Sequence, residues 1–201
     1  VHTLDVECPN LFDHRLVHLA AQPHKGFFFV LELLFQLSRC HAQQFGQLDV
    51  LINNAGSLDV KPFAESSEVD FVEMLQSNFL NHVRLIQGVL PLLKSPSHIV
   101  NIGSMGGFQG SAKFAGLSAY SASKAALHNF TECLAEELKE RKISVNCLAL
   151  GSAQTEMLEK AFPGYESPVM AFEMGKYIAD FALTGHKFFN GKVLPVAITT
   201  P

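Results

Sequence analysis

Tyr120-Ser-Ala-Ser-Lys124 sets a phenol and an ammonium four residues apart, a spacing that stacks two side chains one turn apart on a single helix face. A phenol with an ordinary pKa of about 10 exchanges protons poorly at neutral pH. A cation beside it stabilises the phenolate and brings the group toward a useful range for giving a proton to a carbonyl or taking one from an alcohol. The same spacing is common on solvated helix faces, so the residues around the pair decide its meaning. Ser104 lies sixteen residues upstream at the end of an apolar run, where its hydroxyl could donate to an oxygen that changes charge. Asn78 sits in the middle of an apolar-periodic stretch, where a polar side chain needs a partner; standing alone it would be a helix residue bonded to nearby backbone or solvent.

These residues need elements to hold them. The β-branched and apolar run Asp49 to Asn54, closed by Ala55-Gly56, predicts a buried strand ending in a turn. Ser66 or Ser67 can cap a long helix from about Glu68 to Leu93, whose Val69, Val72, Leu75, Phe79, Val83 and Ile86 recur at helical spacing. His98 to Ile102 predicts the next strand, followed by a Gly/Ser-rich loop to about Leu117, a helix over about Ser118 to Glu140, and strands at Ile143 to Leu150 and Gly191 to Ile198. Strands separated by helices of this length imply an α/β fold with a doubly wound parallel sheet. In such sheets ligands bind beyond the carboxyl ends of the strands. Those ends carry Asn-Asn-Ala-Gly, Gly-Ser-Met-Gly-Gly and Gly-Ser-Ala-Gln-Thr, small residues that let a flat ligand approach the backbone.

The 201 residues, 48% hydrophobic, 17% charged and including 17 Phe, exclude disorder as the main state. A net charge of -4 gives no global basic field, so nucleic acid is not an expected partner. Cys8, Cys40, Cys133 and Cys147 form no CxxC pair, which suits reduced thiols and a cytoplasmic location. The apolar run Gly26 to Leu37 would span about 18 Å as a helix against the roughly 30 Å of a bilayer core, so no membrane span is expected. His14 and His18 stand at helical i, i+4 spacing near Cys8, His24, Cys40 and His41. They lack the glutamate of a zinc protease motif and read as solvated helix histidines, with no metal assigned.

Taken in order and with their separations, Asn53-Asn54-Ala55-Gly56, Asn78 in Gln-Ser-Asn-Phe-Leu, Ser104 in Ile-Val-Asn-Ile-Gly-Ser and Tyr120-Ser-Ala-Ser-Lys124 resemble the short-chain dehydrogenase/reductase family. The resemblance is strong over about Asp49 to Met157. It implies an NAD- or NADP-dependent oxidoreductase that interconverts a carbonyl and a secondary alcohol by hydride transfer. It casts Tyr120 as proton donor and acceptor, and Lys124 as the group that lowers the phenol pKa and holds the nicotinamide ribose. Ser104 would orient the substrate carbonyl, and Asn78 would hold a relay water. Asn54, Ala55 and Gly56 would contact the adenosine half of the cofactor, Thr155 its nicotinamide carboxamide, and Asp5 and Val6 the adenine, with Gly151 and Ala153 also among the cofactor-binding residues. The family also implies a homodimer or homotetramer built through the helices that hold Asn78 and Tyr120.

The chain departs from the family pattern in its first residues. It contains no Thr-Gly-x-x-x-Gly-x-Gly turn, the element that receives a pyrophosphate. Aligned on Asp5-Val6, the first two strands and helices of the family precede Val1, which predicts an incomplete sheet with lost ladder partners. Residues 1–201 are expected to form a single domain: 1–48 atypical, 49–157 carrying the core motifs, 158–190 a substrate lid and 191–201 the last strand. Leu150 stands where a proline is common, and the loop from Ser104 to Tyr120 is longer than usual. Two alternatives stay open: a catalytically silent relative that acts as a binding or assembly partner, and, further off, a Rossmann-like methyltransferase.

Overall fold

The computed structural model describes residues 16–19 and 46–198. Asp5, Val6, Cys8, His14, His24, the run 26–37, Cys40 and His41 lie outside the described residues. Five strands pair in the order β1-β2-β3-β4-β5 among the described residues: β1 (Leu16–Leu19), β2 (Leu48–Asn53), β3 (Leu93–Ser104), β4 (Ile143–Leu150) and β5 (Val193–Val196). Every pairing is parallel. The intervening helices cover both faces, so the chain has the expected doubly wound α/β fold.

The expected loss of ladder partners is not seen at β2. Leu16 to Leu19 run in parallel beside it, in register with Val50 to Asn53. His18 therefore stands in a strand, where its spacing from His14 had implied a helix. Strand β3 begins at Leu93 instead of His98; its first residues include Lys94 and Pro96, which break the apolar pattern that marks the buried part. From Ser97 to Ser104 it pairs with Ile143 to Leu150 without interruption, so Ser104 and Leu150 end level at one edge of the sheet.

The expected long helix starts where its serine predicts. Ser67 accepts from the Asp70 backbone N–H, and the Asp70 carboxylate accepts from the Ser67 N–H at 2.6 Å and from Lys61 at 2.7 Å. The helix is not uniform, however: α1 (Glu68–Leu75) passes into a π-helical turn at Gln76–Leu80, then α2 (Asn81–Val89) and a final tight turn at Leu90–Leu92. The third helix, α3 (Ser118–Glu137), is followed by α4 (Glu156–Ala161) and α5 (Ala171–Thr184).

Strand side chains alternate between two cores. Ile99 and Val145 face α2 and α3, meeting Ile86, Val89 and Leu134. Val100, Ile102 and Leu148 face α5, meeting Met174, Ile178, Phe181 and Ala182. Each such side chain contributes about 1.5–3 kcal/mol of burial. The α5 residues Met174, Ile178, Phe181 and Ala182 thus cover the sheet.

Cross-strand polar ties fix the register. Asn53 Nδ2 donates to Asn101 Oδ1 at 2.8 Å, and Asn101 Nδ2 donates to Thr131 Oγ1 at 2.9 Å. At the opposite end of β3, the fully buried His98 meets the Ala182 carbonyl through Nδ1 at 2.9 Å and the Asn146 amide through Nε2 at 3.0 Å. Because the Asn146 amide is the donor, Nε2 accepts and Nδ1 carries the proton. Asn146 Nδ2 also donates to the Phe189 carbonyl at 2.9 Å, which joins β3, β4 and α5 with the chain that follows it.

Candidate active site

Helix α3 presents Tyr120, Ser123, Lys124, Leu127, His128 and Thr131 on its buried face, a stripe with the i, i+3, i+4 repeat of a helix packed on a sheet. Tyr120 is 8% exposed and Lys124 5%. Lys124 Nζ donates to the Ile102 carbonyl at 2.9 Å and lies 6.0 Å from the centre of the Tyr120 ring. Ser104, at the end of β3, accepts the Gly106 N–H on its Oγ at 3.1 Å. The Ser104 side chain also hydrogen-bonds the Tyr120 phenol. Tyr120, Lys124 and Ser104 are thus brought together at the carboxyl end of the sheet, as their spacing predicts.

Asn78 joins them from the π-helical turn. Its side chain is fully buried; Oδ1 accepts the Ser57 N–H at 2.9 Å, and Nδ2 donates to the Ser57 carbonyl and to Ser123 Oγ, each at 3.0 Å. Asn78 therefore ties Ser57, two residues after Ala55 in the strand-end turn, to Ser123 of α3, and its amide is occupied by protein. The turn is π-helical: the Asn81 N–H reaches back five residues to the Gln76 carbonyl.

Gly56 shows why this turn ends in glycine. A Cβ there would lie 2.8 Å from Asn78 Oδ1 and 3.5 Å from Lys124 Nζ, filling the space where the strand end meets the two candidate side chains. Of the other strand-end residues, Gly151 donates its N–H to the Val196 carbonyl at 2.9 Å, and Ala153 packs at the rim of the α5 core. Thr155 Oγ1 accepts the Leu158 N–H at 3.2 Å and caps α4. That helix borders the site: Lys160 Nζ donates to the Leu58 carbonyl at 3.3 Å, and Phe162 meets Phe114 edge to face at 5.0 Å. Phe172, expected in a lid, is 72% exposed on α5.

Electrostatics depart from expectation at the phenol. Burial pushes Tyr120 above its ordinary range and the Ser104 hydroxyl pulls it back, so the phenol is raised where the sequence predicts a lowered value. Both members of the pair are buried, and the ammonium is directed at a carbonyl. Burial lowers Lys124 to about 8, against a smaller opposing effect of Cys147. Burial likewise raises the Cys147 thiol to about 12.

Two histidines that the motifs did not single out lie in the same place. His82, one turn after Asn78, is lowered to about 3 by burial and by the Lys124 charge, with the carbonyls of Asn78 and Ala55 opposing. His128, one turn after Lys124, is lowered to about 4 by burial and then by Lys124. The signal was present, because each sits four residues beyond a candidate residue on a shared helix face. Ser57 and Ser123 were also missed, and nothing in their local sequence marks them. Among the described residues no group of three His, Cys, Asp or Glu side chains is placed to hold a metal, and no helix is long and apolar enough to cross a membrane.

A sequence profile described as short chain dehydrogenase matches residues 33–166, two thirds of the chain and all four candidate catalytic positions. The chain belongs to the short chain dehydrogenase family. Members of this family are oxidoreductases that act on CH–OH groups with NAD or NADP. The chain is 33% identical over 116 residues to a 3-oxoacyl-[acyl-carrier-protein] reductase of Vibrio cholerae, covering 57% of this chain and 46% of that protein. It is 34% identical over 120 residues to a diacetyl reductase of Staphylococcus epidermidis, covering 58% and 46%. A solved short chain dehydrogenase from Burkholderia cenocepacia in complex with NADP superposes with a TM-score of 0.71 at 26% identity, over 84% of this chain and 70% of that one. The chain spans about half the length of the curated relatives it matches.

The residues present fit the nicotinamide riboside half of such a cofactor. Lys124 is a buried ammonium with three protons and the Ile102 carbonyl as a protein acceptor, so it can also serve ribose hydroxyls.

Proposed function

We propose that this chain is an NAD- or NADP-dependent oxidoreductase that interconverts a small-molecule carbonyl and the corresponding secondary alcohol. The observation that carries this reading is the contact of Ser104 with the Tyr120 phenol beside buried Lys124, at the carboxyl end of the sheet. Asn54, Ala55, Gly56, Gly151, Ala153 and Thr155 would hold the cofactor together with Lys124; Asp5 and Val6 are proposed for its adenine. Bound NAD or NADP supplies or accepts the hydride.

In the reductive direction Tyr120 Oη gives its proton to the substrate oxygen, while Ser104 Oγ donates a hydrogen bond to that same oxygen as charge develops on it. The phenolate left behind lies beside the Lys124 ammonium, which stabilises it until it regains a proton from solvent. The Asn78 backbone carbonyl would hold the water that links Lys124 to bulk. Burial of the whole group excludes other water and strengthens each of these interactions. Phe114 and Phe162, in edge-to-face contact with each other, are proposed to favour an apolar substituent on the carbonyl carbon.

A homodimer through α1, α2 and α3 goes with this reading, supported by Val69 and Val72, which are 61% and 53% exposed on α1. A cytoplasmic location is consistent with the free thiols of Cys133 and Cys147.

The test combines nucleotide binding with turnover. Titration of the chain with NADH and NADPH, followed by nicotinamide fluorescence, should show saturable binding, and a panel of apolar ketones should be reduced. Tyr120→Phe should lower kcat by about 10²- to 10⁴-fold, the usual worth of a general acid, with the circular dichroism spectrum unchanged. Equal turnover by that variant would refute the mechanism. Absence of nucleotide binding would favour a silent binding partner instead.

A further inference from the structure

His128 has no part in the proton transfer proposed above, yet it touches the backbone that carries Ser104. It lies two turns after Tyr120 and one after Lys124 on the same face of α3, and is 7% exposed. Its Nε2 accepts the Ser104 backbone N–H at 3.4 Å. The Gly107 backbone hydrogen-bonds the ring as well, in the sense that favours an imidazole N–H. With Nε2 accepting, the ring proton is on Nδ1, and the Gly107 carbonyl receives it.

The local sequence is shaped around this ring. A Cβ on Gly103 would lie 2.2 Å from His128 Nε2 and 2.8 Å from Cδ2, so only glycine lets the imidazole rest on β3 one residue before Ser104. A Cβ on Gly107 would lie 2.6 Å from the Ala125 backbone nitrogen, so the turn at Met105–Gly107 sits directly on α3 beside the ring. Within that turn the Gly106 N–H reaches back to Ser104 Oγ at 3.1 Å. One ring therefore touches the strand end on one side of the Ser104 side chain and the turn on the other.

We propose that His128 is a positioning residue for Ser104, a neutral imidazole that clamps the strand end to the Met105–Gly107 turn and so fixes where the Ser104 hydroxyl points. This rests on the reading of Ser104 as the group that orients the substrate carbonyl. The charged and titratable groups facing the ring are Lys124 on its own helix, Lys113 from the loop before α3 and the Cys147 thiol across Gly103 from β4. The two ammonium groups disfavour a second ring proton. Protonation of Nε2 would remove the acceptor for Ser104 N–H.

The test uses the full chain and two variants. In the unsubstituted protein, nitrogen NMR of the ring should show the Nδ1–H tautomer at pH 7, and the opposite tautomer would overturn the proposal without any variant. His128→Leu keeps bulk and removes the acceptor; His128→Gln restores an acceptor. The Leu variant should shift the Ser104 amide resonance, speed its solvent exchange and lower kcat by about 10- to 100-fold, the scale of a small misplacement of a catalytic group, with nucleotide binding unchanged. The Gln variant should recover most of that loss. An unmoved Ser104 amide in the Leu variant, or a Gln variant no better than Leu, would overturn the proposal. If the unsubstituted chain reduces no carbonyl, the proposed activity fails, while the tautomer and the Ser104 amide still decide the role of His128.

Discussion

Lys124 keeps its charge at neutral pH in a setting that opposes it. Its pKa of about 8 lies below the ordinary 10.5 because burial penalises the ammonium. The folded state therefore carries a cost that is full below pH 8, shrinks as pH rises from 8 to 10.5, and amounts to about 3 kcal/mol at neutral pH. Lys124→Met should accordingly raise the thermal midpoint at pH 7 by several degrees, at 2–4 °C per kcal/mol for a domain of roughly this size, while turnover is lost. A lower midpoint would mean that the bond to the Ile102 carbonyl outweighs desolvation. The four candidate catalytic side chains were legible in the sequence because their order and separations resemble a family pattern, the Tyr120–Lys124 spacing alone being common on solvated helix faces. His82 and His128 carried only the signal of their helix spacing, since an imidazole in a sequence does not show which backbone it rests against.

At the level of elements, caps and strands followed from local sequence and the irregular parts did not. Ser67 and Asp70 form a reciprocal cap that any helix could use, and Ile143 to Leu150 is a strand by its apolar run alone. Ser67→Ala should cost about 1 kcal/mol, read as a lower urea midpoint with an unchanged slope; no change would show that the Lys61 contact to Asp70 is enough to hold the helix start. The π turn at Gln76–Leu80 has the same apolar periodicity as the helix on either side. It is imposed from outside, by Ser57 and Ser123 drawing the Asn78 amide inward, and no propensity records that. The start of β3 was hidden for the opposite reason, because Lys94 and Pro96 look like loop residues while Leu93 before them already pairs with Leu48 of β2.

For the molecule as a whole, three buried imidazoles set the response to acid. His98 and His128 are lowered to about 4 and His82 to about 3, burial being the largest cause in each. Between the ordinary pKa of about 6.5 and these values the unfolded chain binds more protons than the folded one, so stability rises with pH across that window. The urea midpoint should be level between about pH 6.5 and 8, fall steadily from pH 6.5 to about pH 4, and fall further to pH 3 through His82. A midpoint unchanged between pH 7 and 4 would mean that the rings open to solvent without unfolding. Asp70, lowered to about 2 by the Lys61 contact and then by Ser67, adds stability that is fully present above the ordinary carboxylate range and is lost only as pH falls toward 2, outside most of this window. The contact of His98 with Ala182 and Asn146 has one more consequence. Ser104 lies six residue steps further along β3, about 20 Å of extended chain, and along that length a strand cannot absorb an error. A slip of one residue at the His98 end would arrive at the other end as a shift of about 3.3 Å and a reversal of face. The latch acts as the zero mark of a ruler whose last graduation is the Ser104 hydroxyl.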